Sequence, residues 1–399
     1  MSASLARHAR AQLAEIAGQG RIRRRRVIDS GHGVAVTVDG VSAVNFCNND
    51  YLGLAAHADV AEALAEAARR LGSGSAASQM VTGHNAEHAA LETELAAWVG
   101  RERALVFSTG YAVNLGTIEA LVGRGDHVIA DARNHASLID GARLSGASKH
   151  IYAHGDAEAA AARLAGAVDG HRLLVTDSIF SMDGDTAPLA ALAGAAATHD
   201  GWLMVDDAHG LGVFGPGGAG RVAEAGLGAD RVPILTATLG KAAGVAGAFV
   251  AGDHDVIELL LQRTRSLIFS TAMPPAVAAA ARTGVAIARQ DETRRRHLHA
   301  LIARFRANLR AGDLPLAASD SPIQPVIVGA EDDALALSEA LADRGFLVGA
   351  IRPPTVAPGT SRLRITLTAA HTVDQVDALC QALCAAWQAC GIADTRVAS

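Results

Sequence analysis

The sequence predicts an α/β protein: a mostly parallel sheet covered by helices on both faces, followed by a smaller α/β unit. Two patterns predict it. In the middle of the chain, short β-rich runs alternate with Ala/Leu-rich helical runs, as expected of strands joined by crossover helices. The strands read as Ala104–Ser108, His127–Asp131, Leu173–Ser178, Trp202–Asp206 and Ile234–Thr238, with helices such as Glu87–Val99 and Asn114–Leu121 between them. Beyond Gly312 the alternation restarts on a smaller scale. Gln324–Val328, Phe346–Ile351 and Arg362–Thr368 read as strands, and Asp332–Arg344 and Val373–Ala389 as helices.

At 399 residues the chain is long enough for two domains of roughly 100–200 residues each. We place an N-terminal helix and arm over 1–45, a large domain over 46–290 and a small C-terminal α/β domain over 291–399. Between the last two runs a long helical region, Pro275 to Arg310. Its charged stretch, Asp291 to His297, reads as a surface helix leading out of the large domain.

Half of the residues are hydrophobic and 19% are charged, which provides for a large core and excludes general disorder. A net charge of -6 argues against nucleic-acid binding. The four cysteines (Cys47, Cys380, Cys384, Cys390) form no Cys-x-x-Cys pair, as expected of a protein in a reducing cytosol. Arg7, Arg10 and Glu15 break any signal-peptide core, and no apolar run approaches the ~18–20 residues that span a bilayer. A cytoplasmic protein free of the membrane is expected.

The chemistry is read at the carboxyl ends of the predicted strands, where open α/β sheets bind ligands. Asp206-Asp207-Ala208-His209 follows the buried run Trp202–Val205. A carboxylate there is costly unless it meets a cation, and a protonated pyridine nitrogen is one. Thr236-Ala237-Thr238-Leu239-Gly240-Lys241 ends another strand; a lysine among small apolar residues loses proton affinity and becomes a nucleophile and base. Ser108-Thr109-Gly110-Tyr111 opens a helix whose free amides suit a phosphate. His135 follows the 127–131 strand as a candidate to stack on a flat ring, and Ser181 follows the 173–178 strand. Together these segments describe a site for pyridoxal phosphate, carried as a Schiff base on Lys241.

Two other patterns are set aside. His84-Asn85-Ala86-Glu87-His88 matches H-x-x-E-H, a zinc-protease pattern, with no third ligand apparent. Gly215, Gly217 and Gly220 spell G-x-G-x-x-G, with Pro216 inside the loop and no strand leading into it. No metal is expected.

Asn48-Asn49-Asp50-Tyr51-Leu52-Gly53-Leu54 and Asp206-Asp207-Ala208-His209-Gly210 make the chain resemble the α-oxoamine synthases. These are pyridoxal-phosphate enzymes with the aspartate-aminotransferase fold (fold type I). The likeness runs from about Arg21 to Ala389. Phe180-Ser181-Met182-Asp183-Gly184-Asp185, Ser270-Thr271-Ala272-Met273-Pro274-Pro275 and Ile351-Arg352-Pro353-Pro354-Thr355 resemble the subgroup that joins L-alanine to a pimeloyl thioester for biotin biosynthesis. Other members join glycine or serine to other acyl-CoA thioesters.

The resemblance implies that Asp206 pairs with the pyridinium, His135 stacks on the ring, and Ser181 and His209 contact cofactor or substrate. It implies backbone contacts from Gly110 and Tyr111 and a phosphate hydrogen bond from Thr238. Arg23 and Thr355 would bind the acyl substrate, and Arg364 the amino acid's carboxylate. Ser270 and Thr271 would reach the phosphate of a second subunit, implying a homodimer with shared active sites. The acyl donor would be CoA or an acyl carrier protein. Two departures stand out: Asp177 where many relatives have Glu, and a less regular stretch over Ser73–His84.

Overall fold

The computed structural model describes residues 3–23 and 25–392; Arg24, within the basic run Arg23–Arg26, lies outside them. Ala35–Val38 (β1) and Val41–Asn45 (β2) pair as an antiparallel hairpin. The large sheet then takes seven strands: Arg103–Phe107 (β3), His127–Asp131 (β4), Ser148–Tyr152 (β5), Arg172–Asp177 (β6), Trp202–Asp206 (β7), Ile234–Thr238 (β8) and Ala248–Gly252 (β9). Their order is β3-β9-β8-β7-β6-β4-β5, with β4 to β8 parallel and β9 antiparallel to both its neighbours. Apolar runs such as Leu173-Leu174-Val175 and Leu203-Met204-Val205 are buried on both faces, as a helix-covered parallel sheet requires.

The C-terminal part adds Ile323–Gly329 (β10), Phe346–Leu347 (β11), Gly349–Ile351 (β12) and Ser361–Thr366 (β13). Strands β10, β13 and β12 form an antiparallel sheet, whereas β11 leaves it to pair in parallel with β2. The run read as one strand over 346–351 is therefore two strands serving different sheets.

The helical region after Pro275 is likewise two helices, Pro275–Gln290 and Glu292–Ala311. Asp291 ends the first and caps the second, its side chain accepting from the Arg294 amide at 2.9 Å. Arg295, inside the stretch read as a surface helix, is only 3% exposed and donates to the Ala288 carbonyl and Glu292. The helix read from Asn114 begins at Gly110, because the Thr109 hydroxyl accepts from the Ala112 amide at 3.1 Å and caps it there.

Because β4, β6, β7 and β8 run parallel, their carboxyl ends share one edge of the sheet and bring Asp131, Asp177, Asp206 and Thr238 into one row. Asp177 and Asp206 are directly paired in register.

Candidate active site

Lys241 stands three residues beyond β8, in a tight loop held by the Gly244 amide donating to its carbonyl at 2.9 Å. Its Nζ lies 2.8 Å from His209 Nε2. Burial, opposed by Asp206 and Asp177 and reinforced by Arg364, lowers its pKa to about 8. Roughly a tenth of this lysine is thus free amine at pH 7, far more than for an ordinary lysine, and that is the form that attacks a carbonyl. His209 is buried, which with the nearby cations Lys241 and Arg364 pushes its pKa well down, so it is a neutral imidazole. Its Nδ1 meets the Tyr51 hydroxyl at 2.5 Å.

Asp206 ends β7 and is 7% exposed. One oxygen accepts from Asn114 Nδ2 at 2.6 Å, the other from the Ala208 amide at 3.0 Å. Both donors are neutral. Asn114 is fixed in turn, donating also to Ser137 Oγ (3.0 Å) and accepting from Thr236 Oγ1 (2.7 Å). His135 caps the helix Ala136–Leu144 through Ser137, and its backbone N–H donates to Asp177 at 2.7 Å. Its pKa is lowered, chiefly by desolvation, with Asp206 and Lys241 the charges that act on it. Burial and the neighbouring Asp206 push Asp177 well above the ordinary carboxylate range.

At the amino end of the helix Gly110–Leu121, a Cβ added at Gly110 would meet only Thr238, at 3.8 Å, so the backbone there lies open beside the threonine. The Thr238 hydroxyl donates to the Gly247 carbonyl (3.0 Å) and accepts from the Gly240 amide (3.1 Å). The Tyr111 ring is exposed, its hydroxyl donating to Asp140. Arg364, on β13 and 8% exposed, donates to the Ser181 carbonyl (2.6 Å), Thr366 Oγ1 (3.0 Å) and Asn49 Oδ1 (3.1 Å).

A cleft of about 660 Å³ adjoins this cluster, lined by Arg21, Phe180, Ser181, Met182, Thr355 and Arg362 among others. Arg21 lines it, and the Arg21 Nε is buried without a hydrogen-bond partner; Arg23, two residues on, is exposed and is not among the lining residues. Ser270 and Thr271 are also exposed, Thr271 bridging to Ser78. Neither hydrogen-bonds to the Lys241 cluster among the described residues. The H-x-x-E-H pair serves a helix start: His88 bonds the Asn85 amide (2.9 Å) and the Met273 carbonyl (2.8 Å), and His84 meets Glu92 (3.2 Å).

Sequence reasoning missed Asn114 and His154, and gave Tyr51 no role beyond its place in the Asn48–Leu54 segment. Asn114 had no signal beyond its place one turn into the helix after Gly110. His154 is held between Asp131 (2.9 Å) and Asp185 (2.7 Å), with the Phe180 ring edge-on at 4.4 Å between centroids. Burial opposes its charge, but the hydrogen bonds and charges of the two carboxylates raise its pKa to about 9. A raised pKa gives stability that is complete below the unfolded value of about 6.5 and lost as pH climbs through the folded one. Wild type should therefore exceed His154→Gln by on the order of 2–3 kcal/mol at pH 6, and by little above pH 10. Urea melts at both pH values check this.

The residues suit pyridoxal phosphate. A buried carboxylate with only neutral donors awaits a ring cation, an amine of lowered proton affinity stands near, and an open helix start beside a threonine accommodates a phosphate. Fold and site thus define a fold type I enzyme of the pyridoxal-phosphate class, and the chain belongs to the aminotransferase class I and II family, whose sequence model matches residues 41–383.

Among its relatives, the 8-amino-7-oxononanoate synthase of Methylococcus capsulatus is 53% identical over 376 residues, covering 93% of this chain and 96% of its own. That of Alkalilimnicola ehrlichii is 54% identical over 372 residues, covering 93% and 95%. Among solved structures, a Sphingomonas wittichii serine palmitoyltransferase superposes with a TM-score of 0.91 at 31% identity, covering 98% of each chain. An 8-amino-7-oxononanoate synthase from Francisella tularensis does so with a TM-score of 0.76 at 28% identity, covering 87% of this chain and 98% of that one.

Proposed function

We infer that this enzyme condenses L-alanine with a pimeloyl thioester, with loss of CO₂, to give 8-amino-7-oxononanoate in biotin biosynthesis. The observation that carries this reading is the likeness to the Methylococcus and Alkalilimnicola synthases, which spans nearly the whole of each chain.

Bound pyridoxal phosphate supplies an electron sink for the amino acid's Cα. Lys241 would hold it through its amine and, as a buried amine of lowered proton affinity, would be the base for the Cα proton. Asp206 keeps the ring nitrogen protonated, and Asn114 holds Asp206 in place. Gly110, Tyr111 and Thr238 would hold the phosphate, with Ser270 and Thr271 reaching the site of a second copy in a homodimer. His135, Ser181 and His209 would hold the ring. Arg364, already held by Asn49 and the Ser181 carbonyl, takes the alanine carboxylate. The acyl chain runs along the cleft past Thr355, delivered by CoA or a carrier protein in the cytoplasm.

A pimeloyl chain ends in a carboxylate, which a guanidinium can hold through two hydrogen bonds. The resemblance gives this role to Arg23; the cleft presents Arg21, and we assign the main contact to Arg21, with Arg23 secondary. Arg21→Ala should lower kcat/KM for pimeloyl-CoA by roughly ten- to a hundred-fold and leave a heptanoyl analogue nearly unaffected. Equal loss on both thioesters would remove the assignment.

The reaction itself is tested by product analysis with pimeloyl-CoA and alanine, glycine or serine in turn. A product from glycine or serine in preference to alanine would refute the substrate reading. The homodimer is tested by light scattering, where an active monomer at assay concentration would refute the shared site.

A further inference from the structure

We propose that Tyr51 is a positioning residue that sets the tautomer of His209, so that the imidazole presents an Nε2–H to the amine of Lys241. Three polar groups lie in line. The Tyr51 hydroxyl is 2.5 Å from His209 Nδ1, and His209 Nε2 is 2.8 Å from Lys241 Nζ. Tyr51 is fully buried and His209 nearly so, which denies both the exchange with water that would blur their hydrogen bonding. A neutral imidazole carries one N–H, so whichever nitrogen accepts fixes the other as donor.

The phenol hydrogen has two acceptors within reach, His209 Nδ1 at 2.5 Å and Asn49 Oδ1 at 3.4 Å. The nearer one takes it, since hydrogen bonds weaken with length. Arg364 faces the phenol and helps to draw electron density from its oxygen, which sharpens it as a donor. Burial raises the Tyr51 pKa to about 12, so the proton stays on the phenol.

The groups facing His209 are Tyr51, Lys241, Arg364 and His135, and apart from Tyr51 each bears or can bear positive charge, which keeps the ring neutral. The groups facing Lys241 are His209, Asp206, Asp177 and Arg364. An Nε2–H can bond only to the unprotonated amine, so the tautomer favours that form. Without Tyr51 the ring is free to turn its proton to Nδ1, and a bare Nε2 would favour the ammonium instead.

This rests on the reading of Lys241 as the reactive amine, yet the ring measurement stands or falls separately from it. Long-range ¹H–¹⁵N spectra of the full chain labelled in histidine, recorded with and without pyridoxal phosphate, report the tautomer. His209→Asn identifies the signal by its loss. The expected wild-type pattern is a single Nε2–H tautomer, and Tyr51→Phe should convert it to a mixture. In the cofactor-free chain, the pH midpoint for reaction of Lys241 with an amine-directed acylating reagent should move up by roughly half a unit to one unit, the worth of one ordinary net hydrogen bond. An Nδ1–H tautomer in the wild type overturns the proposal, and that observation needs no variant. An unchanged ring spectrum in a folded Tyr51→Phe protein overturns it equally.

Discussion

Lys241→Ala is expected to end turnover, with activity falling at least about 10⁴-fold, the upper range for loss of one acid–base group. The loss reaches that far because, in the proposed function, one side chain supplies both attachment of the cofactor and removal of the Cα proton. His209 lies 2.8 Å away but is held neutral by burial and surrounding cations, and an imidazole cannot form the bond that the amine makes. The absorbance of the Schiff base with Lys241 should vanish, and borohydride should fix no cofactor to the chain. A variant that still gives a reducible covalent adduct would place the reactive amine elsewhere.

Asp206→Asn should lower kcat by roughly 10²–10³-fold, the scale seen when one preorganised electrostatic contact is removed from a buried site. The ring nitrogen would lose its charged partner. Stability should suffer too. A new amide N–H₂ must face either the Ala208 amide or Asn114 Nδ2, both donors, unless Asn114 turns over and the Ser137 and Thr236 hydroxyls reverse with it. A donor so stranded costs about 1–3 kcal/mol, read as a lowered urea midpoint. Full activity in this variant would show that Asp206 faces something other than the ring.

The strands that carry Asp206, Asp131 and Thr238 were legible because a strand buried on both faces leaves a largely apolar, β-branched run that ends in a polar residue. Strand β5 was not: Ser148-Lys149-His150-Ile151-Tyr152 sits at the sheet edge, mostly open to solvent, and its composition reads as a loop. Strand β9, Ala248-Phe249-Val250-Ala251-Gly252, was hidden for the opposite reason. Its alanine and glycine carry no strand preference, and its antiparallel pairings with β3 and β8 impose the conformation.

The same contrast runs through the site. Lys241, Asp206 and His209 were visible because each follows an apolar strand within a few residues. Asn49 and Tyr51 stand in the shared segment Asn48–Leu54, but their partners Arg364 and His209, like the Asp131 and Asp185 that hold His154, lie far along the chain, and no local pattern names them. Arg21 and Arg23 show the limit from another side. Within one basic run, the choice of which guanidinium enters the cleft depends on how the arm lies across it, which residue type does not encode.

The parallel pairing of β2 with β11 carries a consequence for how the polypeptide comes to be made. Roughly 300 residues separate the two strands, and at 5–20 residues per second a ribosome needs roughly 15–60 s to bridge them. Until then β2 has β1 beside it but not β11. Asn49 likewise waits for Arg364, across 315 positions. Asp206, Asn114 and Lys241 have all emerged by then. During synthesis the residues proposed to seat the cofactor therefore emerge before Arg364, and a chain stopped short of Phe346 would carry the first without the second.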